Sequence, residues 1–172
     1  MKKILAIALS ALLTSPSSFA GNITVATKST ATLTSSCSIS AQDLSFGLFV
    51  PATTGNVDSS AAVVSTCSKG VTYSIQMNGY SAYCNNRYMS STSGNGSVLY
   101  YNVYTDAART LIWTYGYWQG AGSSCLATSG GSYPTLTGTG AAQTTPVYGR
   151  MSANQFVPPG SYVGGVAVAL YF

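Results

Sequence analysis

Apolar and polar positions alternate with a period of two along most of this chain, the mark of half-buried strands rather than helices. Val71, Tyr73, Ile75 and Met77 share one face of a strand that ends at Asn78-Gly79, and Ala61, Val63, Ser65 and Cys67 do the same just before it. Residues 97–104 (SVLYYNVY) are apolar at both parities, which predicts a central strand. Gln143 to Arg150 give another short strand. The last runs from Tyr162 to Phe172, with Tyr162, Val166, Val168, Leu170 and Phe172 on its heavier face. No stretch carries a helical period of useful length. Short strands separated by Gly- and Asn-rich turns predict an all-β chain folded as a sandwich.

Two segments stand outside this regular pattern. Residues 115–140 are Gly/Ser-rich with several aromatics and read as a long loop region held by Cys125. Residues 21–35 form a polar, Thr-rich arm in which Ile23, Val25, Ala31 and Leu33 share one parity, with Thr27 and Ser29 small and polar between them. The arm has a strand's period but no turn that would fold it back on the next strand. The plainer alternative is an ordinary first strand of the sandwich.

Residues 1–20 predict a cleaved secretory signal: Lys2 and Lys3, a short apolar run from Ile4 to Leu13, and Ser18-Phe19-Ala20 at the end. That run is too short to span a bilayer, which needs about 20 apolar residues. The mature chain is then expected to begin at Gly21, with a single domain over residues 36–172 after the arm, exported to the periplasm. It keeps five basic residues (Lys28, Lys69, Arg87, Arg109, Arg150) and three acidic ones (Asp43, Asp58, Asp106), a scattered balance of +2. Such scatter excludes a nucleic-acid footprint. Only 6% of the chain is charged, against about 25% in ordinary soluble domains. A surface this poor in charge suits packing against further copies of the chain.

The cysteines are Cys37, Cys67, Cys84 and Cys125. In an oxidising space an even set predicts disulfides. Three pairings are possible, and sequence order favours Cys37–Cys67 and Cys84–Cys125. Catalytic equipment is missing: there is no histidine and no glutamate, so neither a Ser-His-Asp triad nor an imidazole metal site can form. Asp43, Asp58 and Asp106 each read as turn residues. No cofactor and no enzymatic activity are expected. Tyr115, Tyr117 and Trp118 could bind sugars or apolar surfaces, or pack against a disulfide.

Several motifs, in order, resemble the spore coat protein U / Csu-type pilin family of archaic chaperone–usher systems. They are Cys37 after the alternating arm, Leu44-Ser45-Phe46-Gly47, Cys67-Ser68-Lys69-Gly70, Tyr101 to Trp113 (YNVYTDAARTLIW), Val147-Tyr148-Gly149-Arg150, and Gly160 to Phe172. The family usually carries an Asp two residues after the tyrosine of the closing strand, where this chain has Gly164. The resemblance implies an incomplete immunoglobulin-like β-sandwich completed by donor-strand complementation. It implies as partners a periplasmic chaperone, an outer-membrane usher and neighbouring pilin subunits, either a homopolymer or minor and tip subunits, on a surface fimbrium. On that reading Ile23, Val25, Ala31 and Leu33 enter a neighbour, and Tyr162, Val166, Val168, Leu170 and Phe172 line the acceptor and chaperone-binding strand. Cys37–Cys67 would hold the other wall of the groove. The competing reading is a self-contained secreted coat or surface-binding protein whose arm pairs within its own chain.

Overall fold

The computed structural model describes residues 24–51, 55–79, 87–114 and 132–172. Ile23, Cys84, Cys125, Tyr115, Tyr117 and Trp118 lie outside the described residues. The chain divides into two compact units, Met1–Leu33 and Thr34–Phe172. In the first, residues 24–33 have no regular secondary structure, and Val25 and Leu33 are 82% and 94% exposed.

The second unit contains strands only, among the described residues: β1 (Cys37–Ala41), β2 (Val57–Cys67), β3 (Thr72–Gly79), β4 (Arg87–Ser91), β5 (Val98–Tyr104), β6 (Thr135–Thr137), β7 (Ala142–Met151), β8 (Tyr162–Val163) and β9 (Val166–Tyr171). They form a six-stranded sheet, β1-β2-β7-β5-β4-β8, and a three-stranded sheet, β6-β3-β9, with every pair antiparallel. The longest pairing joins β2 to β7, from Val57↔Met151 to Thr66↔Ala142. Pro146 is tolerated in β7 because β5 pairs with β7 only from Tyr148 onward, so nothing on that side needs its missing N–H.

Alternation places the core. Val63, Tyr73, Ile75, Met77, Leu99, Tyr101, Val103, Val147 and Met151 point inward from both sheets around Trp113. Several polar atoms enclosed with them are paired, while Arg87 Nε and Nη1, Asn102 Oδ1 and Thr145 Oγ1 are buried without a hydrogen-bond partner among the described residues. Tyr73 Oη lies 2.9 Å from Ser65 Oγ and donates to Gln143 Oε1 at 3.2 Å, joining the sheets. Trp113 Nε1 donates to the Ile75 carbonyl at 2.9 Å. Arg87 is also buried, and its Nη2 donates to the carbonyls of Met77 (3.0 Å) and Trp113 (2.5 Å). Desolvation lowers its pKa to about 10. Cys37 and Cys67, directly opposed in the β1–β2 register, form a disulfide.

Set against the sequence-based expectations, some features agree and others depart. β5 is interior to its sheet, yet only its odd positions reach the core; Tyr100 is half exposed and stacks edge-on against Tyr88. Tyrosine can present an apolar body with a wet hydroxyl, so two apolar parities do not require two covered faces. β3 ends at Asn78-Gly79 as expected, with these two residues paired to Ala167 and Val166. The segment assigned as loop ends in a strand, β6, whose Leu136 packs on the core opposite Tyr73. Asp58 is no turn residue: it sits in β2 and takes a two-pronged bond from Arg150 at 2.7 and 2.8 Å, with Arg109 at 3.3 Å. Asp106 does cap its own loop, accepting from the backbone N–H groups of Thr110 and Leu111.

The last departure bears on function. Tyr162 to Phe172 is not one strand. It breaks at Gly164-Gly165: β8 pairs with β4 in the large sheet and β9 pairs with β3 in the small one. Two glycines preserve the even parity, so alternation alone could not reveal the crossing. Gly164 is required there because a Cβ would come within 2.6 Å of the Tyr88 carbonyl oxygen. Any side chain, Asp included, would meet that oxygen at this backbone position. Phe172 lies beyond β9 and is 62% exposed, so it does not continue the buried row.

Candidate binding cleft at the open edge

β9 pairs with β3 on one side only; its other edge carries no partner strand among the described residues. The large sheet ends at β1 on one flank and at β8 on the other. Between the β8–β9 edge and the end of β1 the sandwich is open. The opening has two adjoining lobes. The inner lobe, about 450 Å³, is floored by core side chains, including Val63, Met77, Tyr101, Val103 and Val147, with Tyr162, Val166 and Val168 on one wall. The outer lobe, about 720 Å³, continues past Met89, Leu99 and Met151 to the residues before β8. Leu44, Phe46, Met89 and Tyr162 border both lobes.

The opposite wall is Ala41 and the loop after it. Gln42 N extends the β1 ladder by donating to the Ala62 carbonyl at 2.9 Å. Leu44 and Phe46 then turn inward onto Gly149 of β7. A Cβ at Gly149 would lie 2.5 Å from Leu44 Cδ2 and 3.0 Å from Phe46 Cζ, so the glycine is the notch that seats this wall. Phe46 also meets Tyr101 edge-to-face at 5.4 Å. The loop at the far side of β7 is clamped by Arg109, whose Nε donates to the Gly149 carbonyl at 3.1 Å while its guanidinium lies 5.8 Å from the centre of the Tyr148 ring.

Tyr162 has a second role. Its hydroxyl donates to the Pro158 carbonyl four residues upstream at 2.7 Å. This tyrosine corner is characteristic of immunoglobulin-like sandwiches, and it fixes the entry into β8.

Of the residues expected to form an acceptor strand, Tyr162, Val166 and Val168 line the cleft; Leu170 packs on the core opposite Ile75, and Phe172 is exposed. The Cys37–Cys67 disulfide joins β1 to β2, but the wall itself is built by Ala41 to Phe46. In the sequence, Leu44 and Phe46 stand out as part of a motif without showing where they sit. Their shared parity, with a glycine inside the later Val147 to Arg150 strand, is the one signal that points to this wall.

The lining is largely apolar, and its one carboxylate is the exposed Asp43. It offers apolar surface beside a row of unpaired backbone groups. In general, a surface of this kind suits the addition of an extended segment as a strand.

Two antiparallel sheets, a tyrosine corner and an uncovered edge define an all-β, immunoglobulin-like sandwich. The chain belongs to the spore coat protein U family, whose domain profile matches residues 23–169. Sequence comparison with curated proteins returns no match. Among solved structures, the chain is similar to one in the CsuC–CsuE chaperone–tip adhesion subunit pre-assembly complex from the archaic chaperone-usher Csu pili of Acinetobacter baumannii. The TM-score is 0.51 at 22% identity, covering 82% of this chain and 40% of that one. A weaker likeness is to the E. coli Hda pilus minor tip subunit HdaB, with a TM-score of 0.40 at 16% identity, covering 80% and 82% of the two chains. This chain therefore spans well under half the length of the Csu chain it matches.

Proposed function

We propose that this chain is a structural subunit of a chaperone–usher surface pilus, polymerising head to tail by donor-strand exchange and serving adhesion and biofilm formation. The observation that carries the reading is the unpaired edge of β9 beside a cleft floored by core side chains. A free edge beside an apolar cleft is an aggregation hazard unless something fills it.

The segment that fills it is the arm, residues 21–35, of a neighbouring copy. Ile23, Val25, Ala31 and Leu33 share one parity, as side chains entering successive pockets must. Val25 and Leu33 stand almost fully in solvent. Transferring each large aliphatic side chain into an apolar site is worth about 1.5–3 kcal/mol. Donor and acceptor are different surfaces of one subunit, so the contact does not close on itself and repetition gives a filament. Before assembly a periplasmic chaperone occupies the same edge, as the chaperone–subunit pairing named for the Csu complex suggests, and an outer-membrane usher then exchanges it for the next arm. Residues 1–20 direct export, and residues 36–172 are the acceptor domain. The role is structural rather than enzymatic.

The test is an SDS gel of purified assembled material run without boiling. Strand exchange between chains gives a ladder of multimers that collapses on heating. A single monomer band would sink the proposal in favour of a self-contained coat protein.

A further inference from the structure

The chain has two Asn-Gly pairs, Asn78-Gly79 and Asn95-Gly96. This dipeptide carries its own chemistry, because glycine has no side chain to shield its backbone nitrogen from the amide carbon of the asparagine before it. The fold treats the two pairs differently. Asn78 and Gly79 lie within the β3–β9 ladder, where a change of backbone conformation needs local opening of the sheet. Asn95-Gly96 lies in the exposed turn between β4 and β5. Gly96 has φ +76°, and the space beside its Cα is empty to 4 Å. Its N–H bonds to no acceptor among the described residues. Ser97 N donates to Asn95 Oδ1 at 2.9 Å, which holds the side chain against the following backbone and withdraws electrons from its amide carbon.

We propose that Asn95 is a site of spontaneous covalent modification, with water as co-reactant, that converts it to aspartate and isoaspartate. The Gly96 nitrogen attacks Asn95 Cγ. A Cγ–N bond forms, the Cγ–Nδ2 bond breaks, and Nδ2 leaves as ammonia carrying the proton from the Gly96 nitrogen. Water then opens the resulting succinimide at either carbonyl. Nothing is oxidised or reduced. The product gains one negative charge, and the isoaspartate form also lengthens the turn backbone by one carbon. The same turn is tied to the cleft: Thr92 N and Oγ1 donate to the Ser161 carbonyl at 2.9 and 3.2 Å, and the next residue, Tyr162, lines both lobes. Modification therefore accumulates with age at the hairpin that supports β8.

The experiment ages the folded full chain in mildly alkaline buffer, cleaves it after Lys and Arg, and follows residues 88–109 and 70–87 by fragment mass spectrometry. A parallel sample is aged in denaturant, where both pairs are free to react. The folded chain is expected to gain one dalton at Asn95, in two separable isomers, while Asn78 stays intact; Asn95→Gln abolishes the gain. Equal conversion of Asn78 and Asn95 in the folded chain would overturn the proposal. So would an unmodified Asn95 under folded conditions when the denatured sample converts.

Discussion

Replacing Gly164 by alanine tests how the closing segment passes between sheets. The new Cβ would stand 2.6 Å from the Tyr88 carbonyl oxygen, 3.0 Å from Met89 Cγ and 3.1 Å from Met89 Cα. Two of these three neighbours are backbone, so no rotamer change relieves the clash. β8 must instead move away from β4, where it is held by only two register pairs, Ser90↔Val163 and Ser91↔Tyr162. Overpacking of this kind costs about 1–3 kcal/mol. At 1.4 kcal/mol per tenfold, that is roughly a 5- to 150-fold fall in the folding constant. With a urea slope of about 1–3 kcal/mol/M, the midpoint drops by on the order of 1 M. The assay is urea unfolding followed through tryptophan emission, to which the fully buried Trp113 contributes. Gly55→Ala is the control, because nothing lies within 4 Å of a Cβ there; its effect should stay within about 0.5 kcal/mol. A Gly164→Ala variant as stable as that control would refute the tight crossing.

Other outcomes rest on single interactions. Replacing both Cys37 and Cys67 by Ser opens a 30-residue cross-link and should cost about 3–4 kcal/mol from loop entropy, read as a lower urea midpoint; unchanged stability would argue against it. Arg87→Ala unpairs the buried carbonyls of Met77 and Trp113, each worth about 1–3 kcal/mol when left unsatisfied, and a calorimetric Tm equal to the parent's would contradict that role. The hydrogen bond from Arg150 holds the Asp58 carboxyl below its ordinary 3.8, and the Leu111 backbone N–H does the same for Asp106. Both groups bind protons more weakly folded than unfolded, so their contribution is complete above pH 3.8 and fades as pH falls through the lowered values. Acid titration of Asp58→Asn should therefore show a shallower loss of stability than the parent, and parallel curves would count against the ion pair.

Much of the sandwich was legible because its inward residues are few in kind and strictly spaced. Tyr73, Ile75 and Met77, or Val63, Ser65 and Cys67, can face the core in only one register. The Cys37–Cys67 disulfide agrees with sequence order. What stayed hidden were features that depend on a third dimension. Gly164-Gly165 changes sheet without changing parity. Thr135 to Thr137 is too short to announce itself as β6. Arg87 shares the inward parity of Met89, yet a charged side chain reads as solvated until the carbonyls it serves are seen. The cleft needs two distant segments at once, Leu44 and Phe46 on one wall and Val166 and Val168 on the other; alternation marks the second plainly and the first only through the shared parity of two residues.

On the proposed function, the leading segment of another copy fills the open edge of β9. Deleting residues 21–33 from the exported chain, and examining both its chaperone complex and its surface fibres, tests this most directly. The truncated subunit should still be exported and still captured by its chaperone, while polymers disappear. Fibres of normal length and abundance from the truncated subunit would contradict it.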